Sequence, residues 1–355
     1  LAAEGVRFTD AYAACAVCSP TRASILTGKY PARLLLTDWL PSGRWKPSSK
    51  LIEGRKIRGL PLEERTLAEV LRDAGYQTIH IGKWHLGSEP FCLPQHHGFD
   101  INIAGNAHGA PGQYFFPYQG DWSIPTTSRR ATWNVLPNGK PGEYLTSRLT
   151  NEAVNIIKKS DNTPFFLYFP MCPPHSPIAP ADDMKGKGGI SGKEARYGDW
   201  VYQGDHMLGH ILDTLKRTGQ TQDTLIIATG DNGAAKRPYP PLRDAKSSIY
   251  EGGHREPFIA SWPGKIAPGS TTSQTICLTD LFATCAEILE EALPSNAAED
   301  SVSFLPLLSG ATDSPTREAT IHQAPGGLAI RKNEWKLIFH RSGQRELFNL
   351  SSDIG

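Results

Sequence analysis

Apolar residues in this chain come in two patterns that alternate: segments with a hydrophobic position every three to four residues, and short runs that are apolar almost throughout. Residues 66–74 (TLAEVLRDA) open with a threonine suited to an N-cap, repeat Leu, Ala, Val and Leu at helical spacing, and stop at Gly75. A strand, 76–81 (YQTIHI), follows directly. Residues 164–169 (PFFLYF) and 224–229 (TLIIAT) are apolar runs of the kind buried on both faces of a sheet, and 194–216 between them reads as one long helix. A strand at 257–260 and a helix at 280–290 continue the alternation, which predicts an α/β sandwich with a large, mostly parallel central sheet flanked by helices.

Past about residue 310 the pattern shifts to short strands split by turn residues, 329–331, 335–339 and 346–348, so a small antiparallel sheet is expected there. The division that follows is a main domain over 1–310 and the start of a small C-terminal subdomain over 311–355. Residues 105–145, rich in Gly, Pro, Asn and aromatics, fit a long surface loop over a site. The opening LAAEG reads as the last turn of a helix closed by Gly5, and the final SSDIG follows no closing element, so a piece of a longer protein is expected.

Composition narrows the function classes. The chain's 355 residues exceed what one core usually serves. Lys plus Arg is 37 against 36 for Asp plus Glu, which implies no broad polyanion-binding face and no nucleic-acid partner. No apolar run approaches the roughly 20 residues of a membrane span, and no signal peptide is present in the chain. Of the six cysteines, Cys15, Cys18, Cys92, Cys172, Cys277 and Cys285, only the first two stand at CxxC spacing and no second such pair follows, so neither a zinc ribbon nor a disulfide framework is indicated.

Candidate chemistry starts at Cys18-Ser19-Pro20-Thr21-Arg22. A reactive cysteine needs a helix N-terminus or a nearby cation, and both are on offer: the stretch after Pro20 reads helical up to a capping Gly28, and Arg22 carries a permanent charge. A buried structural thiol is the plain alternative. Lys83 and His85 emerge where the strand 76–81 meets a loop, the edge at which open α/β sheets bind ligands. Asp231-Asn232, after an apolar strand, pairs a carboxylate with a carboxamide as a hard cation requires, although Asp, Asn and Gly also favour ordinary turns. His175 sits between prolines in PPHSP, and Lys246 stands four residues ahead of Tyr250-Glu251-Gly252-Gly253. The glycine-rich stretch 186–194 fails as a phosphate loop, having Glu194 where Ser or Thr belongs.

Residues 16–28 (AVCSPTRASILTG) resemble the first signature of the type I, formylglycine-dependent sulfatases, and 75–85 (GYQTIHIGKWH) resemble the second. The resemblance implies the alkaline-phosphatase-like fold and hydrolysis of sulfate monoesters. It implies that Cys18 is oxidised by a formylglycine-generating maturation enzyme; one hydroxyl of the hydrated aldehyde attacks sulfur and the other expels sulfate. It assigns Lys83 to the formylglycine and a sulfate oxygen, His85 to the hydrate's proton, His175 to protonating the leaving oxygen, Lys246 to sulfate, and Arg22 to electrostatic support. Asp231, Asn232 and the nucleophile at position 18 would ligate Ca²⁺. The family's other metal ligands are an adjacent aspartate pair after an early strand. No such pair precedes Cys18, and Asp182-Asp183 is in the wrong place.

The same resemblance implies a periplasmic or secreted location and a sulfated glycan or aryl sulfate as substrate. His108 and Asn106 are candidates to line its pocket, and Trp122, Trp133, Tyr114 and Tyr118 to stack on sugar rings. A phosphonate or phosphodiester hydrolase and a non-catalytic glycan-binding relative are the alternatives.

Overall fold

The computed structural model describes residues 1–40, 57–88, 90–118, 122–124, 129–131, 136, 138–160, 163–293 and 296–355, with backbone alone at 122–124 and 129–131. The chain divides into two compact units, one of Leu1–Trp39, Glu53–Val70 and Gln222–Gly355, the other of Leu40–Ile52 and Leu71–Thr221.

The first unit is organised by the strand Val6–Tyr12. It pairs parallel with Ile276–Cys277 and Ser270–Thr272 and antiparallel with Arg255–Ser261, which in turn pairs antiparallel with Ile226–Thr229. Val6 and Phe8 are buried while Arg7 and Thr9 are exposed, the period of two that a strand with one covered face requires. Phe8, Phe258 and Phe304 meet edge to face with centroids 5.3 to 5.8 Å apart and form the core on that face. The expected helix end at 1–5 is a correction: Ala2–Glu4 is a 3₁₀ turn and Gly5 is extended at φ −148°. Glycine is needed there for space, since a Cβ would come within 2.1 Å of the Ala260 carbonyl oxygen.

The C-terminal strands Thr320–Ala324, Gly327–Lys332, Trp335–His340 and Arg345–Asn349 form the small antiparallel sheet, in that order. The first of the four was not foreseen. One face packs Ala324, Ala329 and Ile338 against Ala16 and Ile249, directly beside the segments that lead to Cys18 and to the Glu251-Gly252-Gly253 turn.

In the second unit the strands Ile101–Ile103, Gln77–Ile81 and Phe165–Tyr168 make a wholly parallel sheet, and the helices Leu145–Lys159 and Ala195–Arg217 pack together. The helix Leu67–Asp73, whose first turn belongs to the first unit, begins in a reciprocal capping box: Glu69 N donates to Thr66 Oγ1 at 3.2 Å and Thr66 N to Glu69 Oε2 at 2.8 Å. The apolar runs expected to be buried on both faces are instead half-buried in Phe165–Tyr168 and in most of Ile226–Thr229. Each stands at the end of its sheet's strand order, so among the described residues only one flank is covered by a neighbouring strand.

The 105–145 stretch carries a short antiparallel pair, Trp122–Ile124 with Arg129–Ala131. Tyr114 and Tyr118 do not face solvent as sugar platforms would. They are 1% and 0% exposed, Tyr114 set edge-on to Trp200 at 4.7 Å and Tyr118 donating to Glu143 at 2.5 Å. Trp133 and the side chain of Trp122 lie outside the described residues. Among the described residues no helix is long and apolar enough to cross a membrane.

Candidate active site

Val6–Tyr12 and Ile226–Thr229 are both antiparallel to Arg255–Ser261, so their C-terminal ends and the start of Arg255–Ser261 share one edge of the sheet. Three loops meet there: the one leading to Cys18, the one carrying Asp231-Asn232, and the one running from Lys246 to His254.

Cys18 is the first residue of the helix Cys18–Thr27 rather than a residue ahead of it, with Val17 as N-cap. Gly28 ends the helix at φ 66°, donating its N–H to Ser24 O at 2.9 Å. All ten helical residues are buried, which fixes the direction in which the first turn presents its side chains. One turn on, Arg22 places both Nε and Nη2 at 2.9 Å from Asp231 Oδ2. Lys246 Nζ donates to Cys18 Sγ at 3.2 Å. Burial pulls the Lys246 ammonium down, but Cys18 and Asp231 outweigh it and hold the group above its ordinary value. A thiol, two cations and a carboxylate thus share one corner, and a dianion placed there would be met by fixed positive charge.

The turn Glu251–His254 explains the two glycines of its sequence. A Cβ at Gly252 would sit 2.2 Å from Asp244 O, and one at Gly253 2.0 Å from Ser248 O. Gly253 O accepts from Gly233 N at 3.0 Å, which docks the turn on the Asp231-Asn232 loop. Glu256 was given no role by sequence reasoning, yet its carboxyl lies against Gly230, where a Cβ would be 2.2 Å from Oε2. Burial pushes Glu256 well above the usual carboxylate range, and the charge of Asp231 adds to the effect. The legible signal was the glycine immediately before Asp231.

Asn232 Nδ2 donates to Gly233 O at 3.0 Å, while its Oδ1 is buried with no hydrogen-bond partner among the described residues. An orphaned buried carbonyl oxygen beside a carboxylate fits a hard cation. Two such donors supply part of a calcium shell, which takes six or more oxygens. Among the described residues no group of three or more His, Cys, Asp or Glu is placed to hold a metal.

The remaining predicted residues belong to the second unit. Lys83 and His85, each 3% exposed, follow the strand Gln77–Ile81, where Gly82 adopts φ 117° because a Cβ would meet Pro170 O at 2.5 Å. Lys83 N donates to Pro170 O at 3.0 Å, and His85 Nε2 lies 2.7 Å from Leu40 O. Asn106 accepts from the His85 N–H through its backbone carbonyl at 2.9 Å and from the His108 N–H through its side chain at 2.8 Å. Gly109 rests on the His85 ring, where a Cβ would come within 2.7 Å. Asn106 thus contacts His85 through its backbone carbonyl, and His108 is tied to Asn106. Burial lowers the His108 imidazole below its ordinary value. His175 is half-buried, its Nδ1 2.7 Å from Ser176 O, and its carbonyl accepts from Trp200 Nε1 at 3.3 Å.

Fold and site define the class first: an α/β protein of the alkaline-phosphatase-like type, with Cys18, Arg22, Asp231 and Lys246 gathered on loops at one sheet edge. The sulfatase family profile matches residues 1–291. The chain is 34% identical to N-acetylgalactosamine-6-sulfatase of Canis lupus familiaris over 337 residues, 89% of this chain and 62% of that protein. It is 33% identical to arylsulfatase A of Homo sapiens over 370 residues, 97% of this chain and 69% of that protein. The solved structure of Ps i-CgsB in complex with k-i-k-neocarrahexaose superposes with a TM-score of 0.84 at 28% identity, covering 100% of this chain and 80% of that one. The chain belongs to the sulfatase family. It spans about 60% of the length of the N-acetylgalactosamine-6-sulfatases it matches.

Proposed function

We propose that this chain carries the catalytic residues of a formylglycine-dependent sulfatase that hydrolyses sulfate monoesters of a sulfated carbohydrate. The observation that carries the reading is the corner in which Lys246 Nζ lies 3.2 Å from the side chain of residue 18 and Arg22 is locked to Asp231 at 2.9 Å. Cys18, once oxidised by a maturation enzyme, would supply a hydrated aldehyde as oxygen nucleophile with a built-in route for releasing sulfate. Lys246 and Arg22 neutralise the sulfuryl oxygens where negative charge builds. Asp231 and the orphaned Asn232 Oδ1 would hold a hard cation, Ca²⁺, which would supply polarisation of those oxygens. The family resemblance would further assign Lys83 a sulfate-binding charge, His85 the proton of the nucleophile and His175 protonation of the departing oxygen.

A sulfated carbohydrate is favoured over a simple aryl ester by the relatives. One is an N-acetylgalactosamine-6-sulfatase, and the superposing structure was solved with k-i-k-neocarrahexaose. Asn106, bonded to His85, and His108, bonded to Asn106, are the proposed sugar-facing residues. A periplasmic or secreted location fits such a substrate.

Two measurements test the proposal in the protein as its native host makes it. Mass spectrometry of the peptide containing residue 18 should find the aldehyde or its hydrate, and an aryl sulfate should be hydrolysed faster than an aryl phosphate diester. An intact thiol, or a preference for the diester, would sink it.

A further inference from the structure

The turn Glu251-Gly252-Gly253-His254 has only two side chains with which to hold its position, and both end on one cation. Lys336, on the strand Trp335–His340, is 1% exposed, with Nζ 2.8 Å from Glu251 Oε1 and 3.0 Å from His254 Nε2. The second oxygen of Glu251 accepts from the Tyr12 hydroxyl at 2.6 Å and from Arg255 Nη1 at 3.3 Å. Arg331 reaches the same Tyr12 hydroxyl, and the His322 ring lies flat on His254 with centroids 4.4 Å apart. All of these side chains are buried except that of Arg255, which is 14% exposed.

The backbone of the pinned turn carries the site. Gly253 O accepts from Gly233 N at 3.0 Å, next to Asn232, and Gly252 N donates to Arg243 O at 2.9 Å, at the start of the loop that brings Lys246. That loop is fixed at its far side by Lys246 N to Ala234 O at 3.2 Å and Ser247 N to Ala16 O at 2.9 Å. The glycines cannot register the turn by packing a side chain, so its position is set from Glu251 and His254.

We propose that Lys336 is a positioning residue: acting through Glu251 and His254, it sets the placement of Lys246 and of the Asp231-Asn232 pair. The assignment rests on the functional reading above for its catalytic consequence. A buried ammonium is an expensive way to fill space, and an apolar side chain of the same volume would often serve stability as well. What the charge adds is direction: an ion pair to Glu251 that admits one placement of the turn, beside His254, whose Nε2 lies 3.0 Å from both Lys336 Nζ and Ile249 O. Burial would raise the Glu251 carboxyl, but Lys336, Tyr12 and Arg255 overcome it and hold the group at about 2, so the carboxylate is charged in the fold, while burial pulls the Lys336 ammonium below its ordinary value.

Lys336→Met and Lys336→Arg, made in the protein as its host produces it, separate positioning from simple support. In the Met variant, amide exchange is expected to quicken across residues 230–253 while 145–217 stays as in wild type. KM for the sulfate ester and the inhibition constant of inorganic sulfate should both rise, with kcat/KM falling about 10- to 100-fold. Arg, which can still pair with Glu251, should restore most of each. Unchanged exchange at 230–253, a uniform rise across the chain, or a lower kcat with unaltered KM and sulfate inhibition would each overturn the proposal. A wild type inert toward sulfate esters would sink the functional reading alone, because the exchange measurement needs no substrate.

Discussion

Arg22 and Asp231 stand 209 positions apart in the chain, and the arginine straddles a single carboxylate oxygen with two nitrogens, each at 2.9 Å. The arginine is 6% exposed and the aspartate 25%, so the pair is fixed by the fold and open on the carboxylate side. That asymmetry makes Arg22 a rigid electrostatic element and leaves Asp231 able to serve a second partner.

Replacing Arg22 tests the first role. Lysine offers a point charge on a flexible stem and cannot straddle the oxygen, so Arg22→Lys should not rescue. Steady-state kinetics on an aryl sulfate are expected to show kcat lower by roughly 10²- to 10³-fold in Arg22→Ala, with Arg22→Lys well short of wild type. Wild-type turnover in the lysine variant would remove Arg22 from the mechanism.

Asn232 tests the cation. Asn232→Leu keeps the shape and deletes the orphaned oxygen, and a calorimetric Ca²⁺ titration should then find affinity weaker by at least about 10-fold. Equal affinity in the two proteins would mean that Oδ1 serves something other than a metal.

Acid should unfold this protein early. Burial, with the charge of Lys336 adding, holds His254 well below 6.5; burial also lowers His322, whose neighbour His254 and then Lys336 add to the effect. Both rings are neutral in the fold and take up protons on unfolding, so stability is full above pH 6.5 and declines as pH falls below it. Glu251, at about 2 in the fold against 4.5 unfolded, adds a second decline between those values. Urea unfolding at pH 5.5 and 7.5 should therefore differ, with a slope of up to about 3 kcal/mol per pH unit if both histidines take part. A flat profile over that interval would contradict the neutral assignment of the pair.

Arg317 is a purely structural counterpart. It binds Asp280 with two nitrogens at 2.6 and 3.0 Å, and also donates to Tyr30 Oη, Ala319 O and Asp300 O. Arg317→Met strands a buried carboxylate and should cost about 3–5 kcal/mol in urea unfolding. Adding Asp280→Asn should return part of that loss, whereas full additivity of the two changes would show the ion pair to be uncoupled.

The elements written in apolar periodicity were legible: the capped helix at Leu67, the strand after it, the long helix from Ala195 and three of the four C-terminal strands. Val6–Tyr12 was not, although it organises the sheet of the first unit. Its outward positions are Arg7 and Thr9 and its last turn inward is an aspartate-alanine-tyrosine run, so too little of it reads as a strand without its partners. Of the site, residues within signature strings could be named singly, because each string is local. The ties among them were hidden, since they depend on pairs such as Lys246 with Cys18 and Lys336 with Glu251, 228 and 85 positions apart. Tyr114 and Tyr118 were misread because an aromatic in a Gly- and Pro-rich stretch looks exposed until Trp200 and Glu143 are seen to cover it.

The wholly buried helix Cys18–Thr27 has a consequence for the order of events in the cell. With residue 18 only 4% exposed, an enzyme large enough to oxidise it could not seat the side chain in its own active site without dismantling that helix. On the proposal that Cys18 is oxidised to the aldehyde, conversion would have to precede the folding of this segment, and the time available to it would be set by how fast the segment collapses.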